Sequence, residues 1–439
     1  MKRALLSFPR GFVEALRGSL LSRSLASAPF VALLLAYTIT QFSEGMTQTA
    51  LTWIAFRIRH DDVTLVGRIG LFQTIIPFLI LLPVGVLIDL LPRQIFMAGI
   101  NLFKGATYAV IPLLSLFEPL RTSFILAVVV GTALLSAGFG PAFNAAIPGF
   151  VPFDRLKQAN GWIQIAGQGG YFLGPLATAG LLLYFPAPWL LALSGGGFVV
   201  AAFLFALIPP PLDPLETRRR REGKRKEQSA LHGESPVSVG GNPGFSQSAG
   251  LLLRNPVLLL SAFLLMVFAL FNAPMSLIFP LLSSQVFRMP PSFYALLSGA
   301  YFLGSFLGGL LLLGRRLPGH FPLVLGGMLA ASGAFLLLPH LSWPGSGLLL
   351  LLFIGTGLSW SQPLAMARIQ QSVPSRALGR VLAVVMTLFL LSAIVGIQGG
   401  TVFLHRHPVS EFLHLEGEIL ISVTVLVSLL VTLFRARLS

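Results

Sequence analysis

Apolar runs of about twenty residues alternate with short polar breaks along most of this chain. A helix rises about 1.5 Å per residue, so about 20 apolar residues cross the hydrocarbon layer of a bilayer. On that criterion twelve helical spans are predicted, at roughly 29–55, 63–88, 95–117, 122–147, 159–184, 188–208, 256–282, 292–313, 320–340, 346–367, 380–403 and 416–434. One stretch breaks the rhythm. Residues 209–255 open with PPPLDPLETRRRREGKRKEQ and continue into a Gly/Ser/Pro-rich tract. Such a stretch has no apolar face to bury, which predicts a disordered linker.

The expected organisation is therefore a basic tail (1–28), six helices (29–208), a basic linker (209–255), six more helices (256–434) and a short tail (435–439). The first residues do not read as a signal peptide, because the apolar run after Lys2-Arg3 is broken at Pro9-Arg10. Phe12, Val13, Leu16 and Leu20 against Arg10, Arg17 and Arg23 suggest an amphipathic segment lying on the membrane surface.

Composition agrees with a membrane protein. The chain is 55% hydrophobic and 10% charged, whereas soluble domains carry roughly 25% charged residues. The net charge of +15 then bears on orientation before it bears on nucleic acid. With both termini in the cytoplasm, 23 of the 30 Lys and Arg residues lie on the inner side and 5 on the outer. Lys/Arg-rich loops stay inside, so both termini are expected to be cytoplasmic and the location is expected to be the cytoplasmic (inner) membrane. There is no cysteine, so disulfide and thiol chemistry are excluded.

Several motifs carry a resemblance. After the second span the chain reads Gly85-Val-Leu-Ile-Asp89-Leu-Leu-Pro-Arg93-Gln94. Gly85, Leu87, Asp89 and Arg93 match a Gly-x-Leu-Ala-Asp-Arg-x-Gly-Arg-Arg signature, while Leu90 and Pro92 depart from it. The fifth span carries Gly161, Gly170, Gly174 and Pro175, with Thr178 and Ala179 where two further glycines would stand. The stretches GPAFNAAIP from Gly140, and IQQSVP from Ile369 with Gly379-Arg380-Val381, narrow the match further. Together these resemble the major facilitator superfamily, in the branch of macrolide-efflux and enterobactin-exporter-like proteins.

The resemblance implies an all-α integral membrane fold of twelve helices in two pseudo-symmetric six-helix bundles. It also implies a conformational latch at Gly85, Asp89 and Arg93. A carboxylate at a helix end can pair with a neighbouring helix N-terminus or an Arg and hold one state closed. The glycine motif of the fifth span is associated with export, although small residues also serve ordinary helix packing. Many exporters of the superfamily carry an Arg in the fourth span. Here Thr132 stands about where it would lie.

One carboxylate, Glu44, lies deep in a predicted span. Tyr37, Gln41, Glu44 and Gln48 are spaced 4, 3 and 4 apart, which places them on one helical face. An acid facing lipid costs several kcal/mol, so this stripe is expected to face a hydrated interior. Glu44 is then a candidate to carry a proton or to bind a cationic substrate group; the alternative is a structural acid hydrogen-bonded to another span. Lys104 in the third span could snorkel to the inner surface, or pair with an anion or with Glu44. Further cavity-lining candidates are Gln73, Asn144, Gln164, Gln168, Asn272, Trp360, Gln362 and Gln398, beside aromatic Phe271, Tyr301 and Phe302. Such side chains also serve as interhelical glue.

The chain has no Gly-x-x-x-x-Gly-Lys-Ser/Thr phosphate loop. The expectation is therefore a monomeric secondary transporter with no cofactor, driven by the proton gradient and exporting a small amphipathic compound of drug or siderophore type. No metal site is expected, since His405, His407 and His414 match no tight ligand spacing. Nor does an enzyme's nucleophile, metal or paired-acid constellation occur. Arg218–Lys226 is expected to meet anionic lipid headgroups, and no nucleic-acid partner is expected. The rival readings are a lipid or lysolipid transporter and a transport-inactive sensor or scaffold on the same fold.

Overall fold

The computed structural model describes residues 28–58, 63–90, 92–117, 121–151, 156–209, 255–312, 320–341, 343–373 and 375–433. The expected linker, the basic run Arg218–Lys226 and both tails lie outside these residues, apart from their edge positions 28, 209 and 255.

The described residues are helical, with no strand among them. In the first half the helices are α1 (Ala28–Ile58), α2 (Thr64–Leu90), α3 (Arg93–Ser115), α4 (Thr122–Ser136), α5 (Phe139–Ala146), α6 (Leu156–Leu181) and α7 (Ala187–Leu207). In the second half they are α8 (Pro256–Asn272), α9 (Met275–Leu281), α10 (Pro291–Leu312), α11 (His320–Leu337), α12 (Pro344–Ser359), α13 (Ser361–Ser372), α14 (Ser375–Arg406) and α15 (Val409–Leu433).

Local chemistry explains several boundaries. Asn255 caps α8 by accepting from the amides of Val257 and Leu258, at 3.0 and 3.4 Å. Pro256 follows at the first helical position, where a missing N–H costs nothing. The α8/α9 rod is interrupted at Ala273-Pro274, and Pro274 supplies no backbone donor there. The rods α4/α5 and α12/α13 are also interrupted, at Ala137-Gly138 and at Trp360.

Nine helical segments of the described residues are long and apolar enough to cross a membrane. The helices α1, α2 and α6 stand at the positions of the other three expected spans. Large apolar side chains such as Leu79, Phe203 and Val395 are exposed along the rods, as suits surfaces facing hydrocarbon.

The two halves repeat one packing plan. In the first, α1 packs on α6, α2 on α4 and α3 on α7; in the second, α8 packs on α14, α10 on α12 and α11 on α15. The halves meet through α6 against α10 and α2 against α14.

These interhalf contacts gather toward one end, where α1 finishes and α2 begins. Trp53 stacks on Tyr294 with ring centroids 5.4 Å apart, and Gln398 donates to the Gly67 carbonyl at 3.2 Å. Farther along, Phe172 stacks on Phe306 at 5.2 Å. The apolar core follows the same division. One cluster runs through the second half and into this end of the first, through Leu51, Ile54 and Ile69. A second cluster, around Phe30, Met97, Phe143 and Phe205, belongs to the opposite end of the first half alone. Among the described residues the halves are thus welded at one end and separately packed at the other.

Candidate functional site

Close backbone approach sets the position of α1. A Cβ on Gly174 of α6 would fall 2.4 Å from the Met46 amide nitrogen and 2.6 Å from the Phe42 carbonyl oxygen. One on Gly45 of α1 would fall 2.2 Å from the Tyr171 carbonyl oxygen. Only hydrogen fits at this crossing, which is how small residues let helices pack in a membrane, where hydrophobic driving force is lacking. α3 crosses α7 in the same manner, with Gly105 and Gly195 facing each other's backbone.

These crossings bring a polar seam together. Lys104 of α3 donates through Nζ to Glu44 Oε2 of α1 at 2.7 Å, an ion pair inside the first half. The ammonium also lies 5.2 Å from the centroid of the Phe198 ring on α7. The two partners differ in access: the Lys104 side chain is 8% exposed and that of Glu44 33%. One turn away, Thr40 donates to Asn101 Oδ1 at 3.0 Å, and on the other side Thr47 donates to Ser194 Oγ at 2.8 Å. Thr40, Glu44 and Thr47 therefore each find a polar partner on a neighbouring helix, as buried polar groups must.

Two cavities flank the ion pair and share Glu44, Lys104 and Ser136. The smaller, about 150 Å³, is also lined by Thr40, Gln41, Asn101 and Phe139. The larger, about 360 Å³, is lined by Gln48, Gln73, Tyr108, Thr132 and Tyr171. Along its wall Gln73 donates to Gln48 Oε1 at 3.1 Å, and Tyr108 donates to Thr132 Oγ1 at 3.4 Å. A volume of this size accepts part of a small ligand, with hydroxyls and amides on several sides and one carboxylate at its floor.

The predicted residues fall into three groups. Gln41, Glu44, Gln48 and Gln73 line the cavities, and Tyr37 stacks on Phe143 with centroids 4.1 Å apart. Asn144, Gln164, Gln168 and Gln362 are exposed and line neither cavity. The rest take part in packing. Asn272 accepts from the hydroxyl of buried Tyr301, and Trp360 donates to the Gly308 carbonyl at 3.0 Å. Gln398 bridges the halves.

In the glycine motif, Gly170 and Gly174 face the backbone of α1, Pro175 packs against Gly45, and Gly161 has no neighbour within 4 Å of a built Cβ. Gly85 and Asp89 fall in the last turns of α2, and Arg93 opens α3. Lys104 points at Glu44 rather than toward the inner surface, because the Glu44 carboxylate is within direct reach on α1.

The structure adds Asn101 and Tyr108, which the sequence alone did not single out, on either side of Lys104. Asn101, Lys104 and Tyr108 lie 3 and 4 apart, and all three line the cavities. Their helical spacing was available as a signal of a second polar stripe, on α3. Thr132 lines the larger cavity together with Lys104, so the cation beside the fourth rod comes from α3. Among the described residues no group of three or more His, Asp or Glu side chains could hold a metal. His407 instead pairs with Glu411 at 3.0 Å, and His414 meets the His340 ring.

A family model described as the Major Facilitator Superfamily matches residues 33–397. Macrolide efflux protein A of Streptococcus pyogenes is 24% identical over 357 residues, covering 78% of this chain and 81% of that protein. The protein of the same name from Enterococcus faecalis is 25% identical over 237 residues, covering 52% and 66%. Among solved structures, a POT family transporter in complex with 5-aminolevulinic acid superposes with a TM-score of 0.66 at 11% identity, over 93% of this chain and 96% of that one. A bacterial homologue of the human lysosomal transporter Spinster, inward-facing and unoccupied, gives 0.60 at 14% identity, over 94% and 97%. At such identities these two structures speak for the fold alone.

Proposed function

The chain belongs to the Major Facilitator Superfamily, and from that premise we propose that it exports a small amphipathic compound across the inner membrane in exchange for protons. It is a multi-pass membrane transporter with efflux proteins among its relatives. The finer reading rests on one observation above the others. A carboxylate, Glu44, sits between two cavities deep in the helical half, one third exposed and paired with a buried lysine. Ionisable groups at that depth mark substrate or proton pathways.

The distribution of Lys and Arg supports cytoplasmic termini. We read α1, α2 and α6 as the three remaining spans and residues 209–255 as the linker between the bundles. The welded end is then the outer one, and the separately packed end faces the cytoplasm. That is an inward-open state, and alternating access follows if the halves rock about the midplane until the outer contacts part. Asp89 and Arg93, across the short α2–α3 turn, are the proposed latch of the opposite state.

The names of the relatives make a macrolide the first compound to try, here erythromycin. The test uses the full chain in lipid vesicles, with erythromycin flux followed with and without an imposed pH gradient. Gradient-driven flux in the wild type, lost in Glu44→Gln, is the expected result. Flux in Glu44→Gln that still follows the gradient as in the wild type would remove Glu44 from the coupling.

A further inference from the structure

We propose that Glu416 is a proton-binding site in the second half, filled while the welded end is closed and emptied to water when that end opens. The site lies apart from Glu44 and both cavities, and its test needs no ligand.

Glu416 lies about two turns into α15 and is 9% exposed. Its Oε2 is buried and has no hydrogen-bond partner among the described residues. Helical geometry explains this isolation. Glu411, His414 and Glu418, the other titratable groups of α15, stand about 140–160° round the helix from Glu416. Glu411 pairs with His407, His414 meets the His340 ring, and Glu418 is exposed. Glu416 shares its own face with Phe412, Leu413 and Leu420, all of them buried.

The helices packed on that face offer no cation. On one side Gly417 lies against Leu336 and the Ser332 carbonyl of α11. On the other, Phe412 meets Phe403 of α14 with ring centroids 5.6 Å apart, and it lies against Gly400. The hydroxyls of this region are committed: Ser332 donates to the Leu329 carbonyl at 2.8 Å, and Thr401 to the Ile397 carbonyl at 2.7 Å. Charged and titratable groups of these elements stand at their ends. His320 opens α11, and Arg376 and Arg380 belong to the first turns of α14, each far along its helix from this wedge. His405 and Arg406 are exposed at the near end of α14, as is His340 after α11. A carboxylate in the wedge would be a buried charge with neither partner nor water, which proteins avoid by neutralising the group. The neutral acid is the form that fits.

One turn of α14 joins this wedge to the seam between the halves. Gln398 donates to the Gly67 carbonyl of α2, and Thr401 stands beside Gly67. Gly400 and Phe403 of the same stretch face α15. Parting α2 from α14 uncovers one side of that turn and lets water into the wedge. The O–H bond of the carboxyl then breaks, the proton passes to that water, and the carboxylate is hydrated. Reclosing takes a proton back from the same side, so none crosses the membrane by this route.

The closed form therefore holds one proton more than the open form. Acid favours closure and base favours opening. Above the ordinary glutamate range, about 4.3, the open-to-closed ratio should rise by up to about tenfold per pH unit for one proton released.

The test uses the full chain in lipid vesicles, with a spin label on each half at the welded end. In the wild type the open fraction should grow as the pH is raised through the neutral range. Glu416→Gln, a neutral isostere, should stay closed across that range. Infrared spectra of the wild type near neutral pH should show a carboxylic-acid stretch that Glu44→Gln keeps and Glu416→Gln lacks.

No such stretch in the wild type, or its persistence in Glu416→Gln, overturns the site. An open fraction that ignores pH in the wild type, or follows it equally in Glu416→Gln, overturns the link between the site and the seam. If Glu416→Gln does not fold, the wild-type spectrum and its change on raising the pH decide. Absence of erythromycin flux alters none of these outcomes, so this proposal and the export reading fail separately.

Discussion

The hydroxyl of Tyr294 donates to the main-chain carbonyl of Thr49 at 3.0 Å, tying α10 of one half to α1 of the other. Its ring lies against Trp53 at the same point. Tyr294→Phe would keep the stacking and remove the hydrogen bond, worth about 1 kcal/mol net. The population opened at this end should rise about fivefold for that energy, read as a distance distribution between spin labels on the two halves. An unchanged distribution would show that this bond does not hold the state.

The absence of native cysteine makes a second test clean. A Cβ on Gly67 would lie 2.9 Å from Cβ of Thr401, against about 3.8 Å in a disulfide. Gly67→Cys with Thr401→Cys should cross-link under mild oxidation after the two helices part by about 1 Å. Flux should then stop and return with reductant. Undiminished flux in the cross-linked protein would exclude opening at this end from the transport cycle.

Two glycines of the same motif should respond in opposite ways. At Gly174 a methyl group meets the backbone of α1 at 2.4 Å, whereas at Gly161 it meets nothing within 4 Å. Gly174→Ala is expected to lose about 1–3 kcal/mol through overpacking. Gly161→Ala should be neutral, or gain up to about 1 kcal/mol from helix propensity. Thermal unfolding in one detergent compares them, and equal midpoints would contradict the packing described for α6 on α1.

The ion pair predicts an order of stabilities. Glu44→Gln strands the more buried partner and should cost about 3 kcal/mol, the lower end for breaking a buried pair. Lys104→Met leaves a partly hydrated carboxylate and should cost less. The double variant removes both charges and should recover most of the loss. A double variant as unstable as the sum of the two singles would mean that the pair contributes little coupling energy.

How much of this was legible beforehand depends on what spacing reports. Residues 4, 3 and 4 apart place Tyr37, Gln41, Glu44 and Gln48 on one face; Gln41, Glu44 and Gln48 line the cavities, while Tyr37 stacks on Phe143. The same logic, applied to Asn101, Lys104 and Tyr108, would have found the opposing stripe. Spacing identifies a face but not the neighbour it meets. Gln398, Asn272 and Trp360 therefore looked like cavity groups, yet each makes a packing hydrogen bond. Lys104 had two physically sound destinations, and only the placement of α1, which brings the Glu44 carboxylate to 2.7 Å, selects between them. The helical rods were readable because apolar length alone sets them. Their interruptions at Ala137-Gly138 and Trp360 were not, since both rods read as continuous apolar runs.

The cluster around Phe30, Met97, Phe143 and Phe205 has no share in the core that joins the halves. It therefore borrows no cooperativity from the rest of the molecule. In heavy water, amides of the turns bearing these residues should exchange as one block, ahead of those near Leu265 and Met328, whose packing spans the larger core. Stripping away lipid or raising denaturant should loosen this block first, leaving a partly melted intermediate whose opposite end is still intact.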